Sequence, residues 1–288
     1  MSWIEQGQGI PVVLVHGIPT SPDRWRKVLP LLPGVRALAW EMVGYGQSIA
    51  EGRTRDISVG QQANYLASWM RHLGIGKAIM VGHDLGGGVV QIAAVRQPGL
   101  CGGLLLTNAI GYDSWPIPSV SALKYSAPVT WHLPRPLFKL LLANLLYRGH
   151  DTAEAAREAF RTHAPNYLSE GGAAALIAQI EHLQTSDTLA VADALPRLDI
   201  PARIVWGRRG SVPEDTFRRT LRAGFKRTTA PHTGSQAFYA RRPSGDHCRG
   251  DYGARRGYGS WRKQLTPGLI PHATNLIPDR VYVSFSPV

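Results

Sequence analysis

The segment VGHDLGGG, residues 81–88, places a carboxylate, Asp84, among small residues. The apolar run KAIMV precedes it and three glycines follow, an order that predicts a strand, a sharp turn and a helix. The start of that helix would direct backbone N–H groups and positive dipole toward the carboxylate and keep it ionised. An ionised carboxylate can act as a nucleophile, whereas the plainer alternative is an aspartate that caps the helix.

Two other segments favour the nucleophile over the helix cap. VLVHGIPTS, residues 13–21, passes from an apolar stretch into His-Gly-x-Pro. EMVGYGQS, residues 41–48, brings a glycine turn directly after a second apolar stretch. Both turns follow predicted strands, so the chain has three strand-to-turn junctions of the kind on which active-site loops are built.

The elements that must position these turns alternate between strands and helices. Apolar runs predict strands at residues 11–15, 35–41, 77–82, 103–108 and 201–206. Such near-continuous runs are typical of parallel strands that are buried on both faces. Between two of them, residues 58–75 carry apolar residues at helical spacing, and Gly74 is the predicted stop of the helix. We therefore predict an α/β protein with a doubly wound, mostly parallel sheet.

The alternation breaks after Asn108, which divides the chain into four parts. Residues 1–112 form the first part of the predicted core, and residues 113–190 read as helices that make a lid over the strand ends. Residues 191–207 return to the core with its last recognisable strand, and residues 208–288 form an irregular basic tail.

The motifs resemble those of a known family over about residues 10–207. HGIPTSPDRWRKVLPLL, EMVGYGQS and VGHDLGGG are similar to the aspartate-nucleophile branch of the α/β-hydrolase fold, which includes haloalkane dehalogenases and epoxide hydrolases. The resemblance implies a lid inserted after the sixth strand, with residues 201–206 as the seventh. It also implies that Asp84 is the nucleophile and that the backbone N–H groups of Ile18 and Leu85 bind the oxyanion.

A carboxylate suits the chemistry of that branch. It can displace halide from a saturated carbon, or open an epoxide, and leave an alkyl ester on the enzyme. Water activated by a histidine then attacks the carboxyl carbon of the ester, and an acid orients that histidine. The resemblance therefore implies a hydrolase that needs only a small apolar organic substrate and water, with no cofactor and no metal. We expect dehalogenation first and epoxide hydrolysis as the alternative.

The substrate-binding residues depart from the family pattern. Leu85 stands where haloalkane dehalogenases usually carry a halide-binding tryptophan, and Ile18 stands where one subgroup carries asparagine. Trp115, at the start of the predicted lid, could supply one donor, although a purely packing role is an equal alternative. Epoxide opening would instead use lid tyrosines. Candidate tyrosines are Tyr112, Tyr125, Tyr147 and Tyr167. The predicted substrate contacts are Trp115, Tyr112 and His16.

The catalytic base and its acid have no recognisable residues. Asn108 stands at the first place where the acid is expected and cannot ionise. The second place, after RIVWG, reads GRRGSVPED and offers only the distant Asp215. The tail histidines lack the G-x-H-F context of the family's base, and we interpret each as a surface residue. These are His232, His247 and His272. His83 is expected to point away from the site.

The positive charge is confined to the tail. The chain has a net charge of +12, of which residues 208–288 carry +10 and residues 1–207 only +2. A basic tail could be disordered, or could bind nucleic acid beside a non-catalytic α/β scaffold. We consider nucleic acid the less favoured partner, because Tyr252 and Tyr258 offer few stacking groups.

A third interpretation of the tail is a shifted reading frame. Codons that encode RRGSVPEDT can read AADQFQKIR one nucleotide later, which restores the missing G-x-x-D after the strand. The same shift can turn QAFYARRPSGDH into KHFTPEDHPEII, which looks like the family's catalytic-histidine segment. One shift thus restores both missing residues and explains the abrupt change of charge.

Location follows from what the sequence does not contain. No apolar run is long enough to span a membrane, and the N-terminal segment lacks the pattern of a signal peptide. Cys101 and Cys248 form neither a metal-ligand spacing nor a disulfide framework. We therefore expect a cytoplasmic protein with no membrane association.

The frameshift hypothesis is tested by resequencing the gene across codons 200–260. We expect an extra nucleotide near codon 207, with the shifted frame reading as described. A shifted frame without the G-x-x-D and histidine segments would show that the basic tail is genuine. The natural test would then be salt-dependent DNA binding that disappears when residues 208–288 are deleted.

Overall fold

The computed structural model describes residues 1–127 and 133–205. The basic tail at 208–288, its candidate Asp215 and histidines, and the segments of the frameshift hypothesis lie outside the described residues.

Six strands form one sheet in the order β1-β3-β2-β4-β5-β6. Their bounds are Trp3–Gln6, Ile10–Val15, Val35–Trp40, Ala78–Asp84, Cys101–Ala109 and Ala202–Val205, numbered β1 to β6 along the chain. β1 pairs with β3 antiparallel, and every other neighbouring pair is parallel. The predicted α/β class with a mostly parallel sheet is therefore confirmed.

Both faces of the sheet are covered. Side chains alternate along β2, so that Val13 and Val15 belong to one hydrophobic cluster while Val12 and Leu14 belong to another. Helices α1 (Val59–His72) and α2 (Leu85–Arg96) pack in the first cluster. The segment that carries Trp25, Val28 and Leu29 packs in the second cluster. The strands read as continuous apolar runs because each of their faces is buried.

Helix α1 has the boundaries that its sequence dictates. The Ser58 hydroxyl accepts a hydrogen bond from the Gln61 N–H and so caps the first turn. Leu66, Trp69 and Met70 are buried on one side of the helix. Gly74 follows with φ of +67°, which an L-residue rarely adopts and which ends the helix.

Between β5 and β6 the described chain forms α-helices and no strand. They are α3 (Pro118–Tyr125), α4 (Arg135–Arg148), α5 (Ala153–Leu168), α6 (Gly172–Glu181) and α7 (Thr185–Leu189). The described chain here is thus helical, and its role as a lid at residues 113–190 stays a prediction. The place of this helical insertion in the strand count needs correction, because a single edge strand, β1, precedes β2. The insertion follows the fifth strand of the described chain, and β6 is the sixth rather than the seventh.

Membrane-spanning helices and metal-binding groups are both absent from the described part of the chain. No helix there combines the length and apolar character that a bilayer crossing requires. Within the same residues, no three His, Cys, Asp or Glu side chains come together as a metal-binding group. Cys101 is a buried free thiol in β5.

Candidate active site

Asp84 occupies a sharp turn between β4 and α2. β4 ends at Asp84 and α2 begins at Leu85, so the chain reverses within one residue. Asp84 has φ of 51° and ψ of −122°, a strained conformation that costs on the order of 1–3 kcal/mol for an L-residue. Gly82 allows this turn, because a Cβ there would lie only 2.5 Å from the Gly86 carbonyl oxygen and the Gly87 Cα. The strand–turn–helix arrangement expected from the sequence is present.

The Asp84 carboxylate accepts hydrogen bonds from two backbone N–H groups. The Ile18 N–H donates to Asp84 Oδ2 at 2.9 Å, and the Leu85 N–H donates to the same carboxylate. Gly17 lets the loop after β2 come this close, because a Cβ at that position would overlap the Asp84 carboxylate. The two N–H groups that the sequence nominates as oxyanion donors therefore both lie at the proposed nucleophile.

Burial makes the charge on Asp84 costly. It raises the pKa of Asp84 from 3.8 to about 6. The hydrogen bonds from the Ile18 and Leu85 N–H groups and the positive charge of Arg24 act in the opposite direction. Above about pH 7 the carboxylate is therefore mainly ionised, the form that a nucleophile requires.

Asp84 faces a small cavity of about 90 Å³ between the strand ends and the helical insertion. This space is far smaller than the roughly 300–1,000 Å³ of pockets that enclose drug-sized ligands. Most of its wall is apolar: Ile18, Pro19, Leu85, Ala109, Ile110, Trp115, Pro116, Ile117, Val120, Leu145, Leu146 and Leu183. Its polar side chains are Thr20, Arg24, His83, Asp84, Asn108, Ser114 and His150. The wall suits a small, mainly apolar substrate.

Arg24 and His150 are cavity residues that the sequence analysis missed. The Nη1 atom of Arg24 lies 3.4 Å from Nε2 of His150, whose Nδ1 is 2.6 Å from the Leu146 carbonyl oxygen. Burial lowers the pKa of Arg24 to about 9, and the charge of Asp84 opposes this shift. Arg24 therefore carries a positive charge at neutral pH. The one sequence signal for Arg24 was its position inside the segment HGIPTSPDRWRKVLPLL, whereas His150 has none in the sequence.

His16 does not line the described cavity, which corrects its assignment as a substrate contact. Its ring is completely buried. The Met42 N–H donates to Nε2 at 3.1 Å, and Nδ1 lies 2.9 Å from the Gly17 carbonyl oxygen. Because Nε2 is the acceptor, Nδ1 carries the proton and donates to Gly17. His16 thus ties the loop after β2 to the segment after β3.

Trp115 lies in the cavity wall as a substrate contact would, whereas Tyr112 does not. The Trp115 ring lines the cavity, but its indole N–H donates to the Thr188 hydroxyl at 2.8 Å. The Thr188 hydroxyl in turn donates to the Tyr112 carbonyl oxygen. The indole N–H is thus committed to the insertion, and Tyr112 is not among the described residues that line the cavity. Of the two alternatives for Trp115, this hydrogen bond favours packing over donation to a halide.

The other candidate tyrosines lie away from the described cavity wall. Tyr125 is 88% exposed and Tyr147 is 40% exposed. Tyr167 is buried, and its hydroxyl donates to Oε1 of Gln179 at 3.0 Å. His83, by contrast, lines the cavity beside Asp84, although the sequence analysis expected it to point away. Its Nδ1 lies 2.9 Å from the Thr107 carbonyl oxygen.

Comparison with known proteins identifies the family. Residues 10–167 match the alpha/beta hydrolase fold family. The chain belongs to the α/β-hydrolase fold family. A solved α/β-hydrolase fold protein from Burkholderia ambifaria superposes with a TM-score of 0.68 at 24% identity, covering 80% of this chain and 85% of that one. A solved structure of the epoxide hydrolase CorEH has a TM-score of 0.63 at 24% identity, covering 79% of this chain and 84% of that one.

Two curated relatives are named for the two candidate activities, one as an epoxide hydrolase and the other as a haloalkane dehalogenase. This chain is 35% identical over 100 residues to bifunctional epoxide hydrolase 2 of Sus scrofa, covering 34% of this chain and 18% of that protein. It is 30% identical over 112 residues to a haloalkane dehalogenase of Mycolicibacterium paratuberculosis, covering 38% and 37%. The matches thus span less than two fifths of either relative's length. They place this chain among hydrolases at the level of the family.

The raised pKa of Asp84 predicts a pH-dependent stability difference for Asp84→Asn. A raised acid pKa means that stability is greatest when the acid is protonated and is lost as pH rises from 3.8 to about 6. Asparagine has no such loss, so the stability of the variant relative to the parent should grow by about 2 kcal/mol between about pH 4.5 and about pH 7.5. Urea unfolding of both full chains measures this difference. A pH-independent difference would contradict burial of an ionised Asp84.

The close approach of the loop to the elbow predicts that Gly17→Ala is destabilising. The added methyl overlaps the Asp84 carboxylate, so unfolding should require about 1–3 kcal/mol less free energy. Gly76→Ala is the matched control, because a Cβ at Gly76 meets no heavy atom within 4 Å. Its effect should stay within about 0.5 kcal/mol. Equal stability of the two variants would exclude the observed contact between the loop and Asp84.

Proposed function

We propose that this protein is a haloalkane dehalogenase-like hydrolase in which Asp84 is the nucleophile. The observation that carries the proposal is the Asp84 carboxylate on a strained turn, bound by the Ile18 and Leu85 N–H groups and facing a small apolar cavity. A carboxylate used only as a helix cap would have no need of a donor from another loop. A buried charge that faces a cavity is also a common property of catalytic groups.

The first step transfers the charge of Asp84 to the leaving group. A carboxylate oxygen attacks a saturated carbon, the carbon–halogen bond breaks, and its electron pair leaves with the halide. The products are a neutral alkyl ester on Asp84 and one halide ion. The apolar wall favours this step, because it keeps water from competing for the carboxylate and binds the alkyl group.

The second step is attack of water on the carboxyl carbon of the ester. Negative charge then develops on the former carboxylate oxygen, where the Ile18 and Leu85 N–H groups can stabilise it. Each donor contributes about 3–4 kcal/mol in comparable enzymes. Breakdown of the tetrahedral intermediate breaks the bond between the carboxyl carbon and the alkoxy oxygen, which takes one proton of the attacking water and leaves as the alcohol. The other proton passes to solvent and Asp84 is restored as a carboxylate, so both donors serve the resting state and the intermediate.

The cavity wall favours dehalogenation over epoxide opening. Opening an epoxide requires an acid that protonates the leaving oxygen, and lid tyrosines were the candidates. None of the tyrosines in the described part of the chain lines the cavity. A halide leaves without a proton, so the cavity suits it better. Epoxide hydrolysis, the activity named in the Sus scrofa relative, is the second candidate.

We further propose that the second step is slow in this chain. The sequence offers no recognisable base or acid, and the described histidines of the cavity are poor bases. Burial lowers the pKa of His150 to about 4 and the pKa of His83 well below 6.5. The ester on Asp84 should therefore accumulate. A cytoplasmic location stays a prediction from cysteine usage.

The proposal predicts a single turnover with a small primary alkyl bromide. Incubation of the full chain with 1-bromopropane should release about one equivalent of bromide and increase the protein mass by one propyl group. Peptide mapping should locate the propyl ester on Asp84. Asp84→Asn cannot form an ester and should release no bromide.

Two controls separate the alternatives. Propylene oxide in place of the bromide should leave the protein mass unchanged, and a hydroxypropyl ester would favour epoxide hydrolysis. Repeated turnover would contradict the slow second step. If neither compound modifies Asp84, the carboxylate is not a nucleophile.

A further inference from the structure

Arg24 is a cation in a cavity whose wall is otherwise mostly apolar. It is the only lysine or arginine among the described residues that line this cavity. Placing a guanidinium in such surroundings costs free energy unless anions compensate for it. Arg24 and Asp84 interact electrostatically, since each shifts the pKa of the other toward its charged form. Asp84 is thus one anion that compensates for Arg24 in the resting protein.

That compensation disappears in the reaction proposed above. When Asp84 becomes a neutral ester, its negative charge passes to the halide. The cavity then holds Arg24 and one halide ion, so its net charge is unchanged only if the halide stays near the guanidinium. An arginine offers several N–H donors and full positive charge, whereas the usual donors are missing. The Leu85 and Ile18 side chains have no donor, and the Trp115 indole N–H is bonded to Thr188.

We propose that Arg24 binds the halide ion that leaves the substrate as Asp84 becomes an ester. This inference rests on the proposed dehalogenation and adds the binding site of its ionic product. The same charge balance makes a neutral haloalkane a better substrate than a halogenated acid. A substrate carboxylate would add a second negative charge that one arginine cannot neutralise.

His150 fixes the guanidinium in the cavity. Its Nδ1 lies 2.6 Å from the Leu146 carbonyl oxygen, which requires the proton on Nδ1. Its Nε2 is then an acceptor, 3.4 Å from Nη1 of Arg24. A neutral acceptor orients the cation without neutralising its charge. Burial and the charge of Arg24 both lower the pKa of His150, which keeps the ring neutral.

Halide binding can be measured on the resting full chain, without any substrate. Excess broadening of the chloride-35 NMR signal reports bound chloride, and competition with bromide tests whether the site is shared. Arg24→Gln should weaken chloride binding roughly 10- to 100-fold, because a charge-assisted hydrogen bond is lost. Arg26→Gln is the matched control. It removes the same charge from an exposed side chain that pairs with Asp23 outside the cavity, and it should bind chloride like the parent.

The charge state of Asp84 provides a second test that leaves Arg24 intact. Described titratable groups that interact with Arg24 include Asp84, His16, His83, His150 and His163. The four histidines have pKa values lowered by burial and stay neutral near pH 6. Of these five groups, Asp84, with a pKa of about 6, is the one that changes charge there. Chloride should therefore bind more tightly as pH falls from 7.5 to 5.5. Asp84→Asn should bind chloride tightly at both pH values.

The outcomes distinguish this inference from the proposed function. Chloride binding that is lost in Arg24→Gln, retained in Arg24→Lys and Arg26→Gln, and strengthened in Asp84→Asn supports the halide site, even if no substrate alkylates Asp84. If Arg24→Gln does not fold, the response to pH and to Asp84→Asn decides instead. The inference is overturned if Arg24→Gln binds chloride like the parent, or if neither pH nor Asp84→Asn changes chloride binding.

Discussion

The hydrogen bond from the Ile18 N–H to Asp84 Oδ2 is the contact on which the geometry of the site depends. It joins residues 66 positions apart, one in the loop after β2 and the other at the end of β4. The two strands are neighbours in the sheet, so their carboxyl ends already lie side by side. Gly17 has no Cβ, so the loop can approach the Asp84 carboxylate closely. The His16 ring holds the loop in place by accepting a hydrogen bond from the Met42 N–H. Sheet order thus brings the two parts together, and small local features set their distance.

The hydrogen bond from the Ile18 N–H also helps to stabilise the negative charge of Asp84 inside an apolar cavity. Burial alone would protonate Asp84, and two backbone donors with Arg24 limit the pKa increase to about 6. The histidines around Arg24 cannot share its charge, because burial and the guanidinium keep them neutral. Asp84 and Arg24 therefore form a coupled pair of opposite charges. The carboxylate is mainly ionised above about pH 7, with the Arg24 guanidinium rather than a bound proton as its counter-charge.

The sequence predicted the parts that depend on local pattern. Buried parallel strands are continuous apolar runs, and the elbow at Asp84 needs its glycines, so both were recognisable without a structure. β1 was missed because WIEQ at an exposed sheet edge has no such pattern. His16 was misplaced because its partner Met42 lies 26 residues away. The Trp115 indole N–H bonds Thr188, 73 residues away, which the sequence did not indicate either. Arg24 and His150 meet for the same reason, across 126 residues, which no local pattern could predict.

The long-range contacts of Arg24 and Asp84 share one physical role, which is to balance charge inside an apolar cavity. A wall built only of apolar groups would bind a haloalkane but would hold the departing halide poorly, since an isolated ion in such surroundings is strongly destabilised. A wall with a freely exposed arginine would attract water and weaken the nucleophile's interactions. In the proposed reaction Arg24 would avoid both difficulties, because the negative charge that it faces passes from Asp84 to the leaving halide and stays beside the guanidinium until the halide is released. On this view, substrate choice depends as much on where the product anion can reside as on the shape of the wall that contacts the alkyl group.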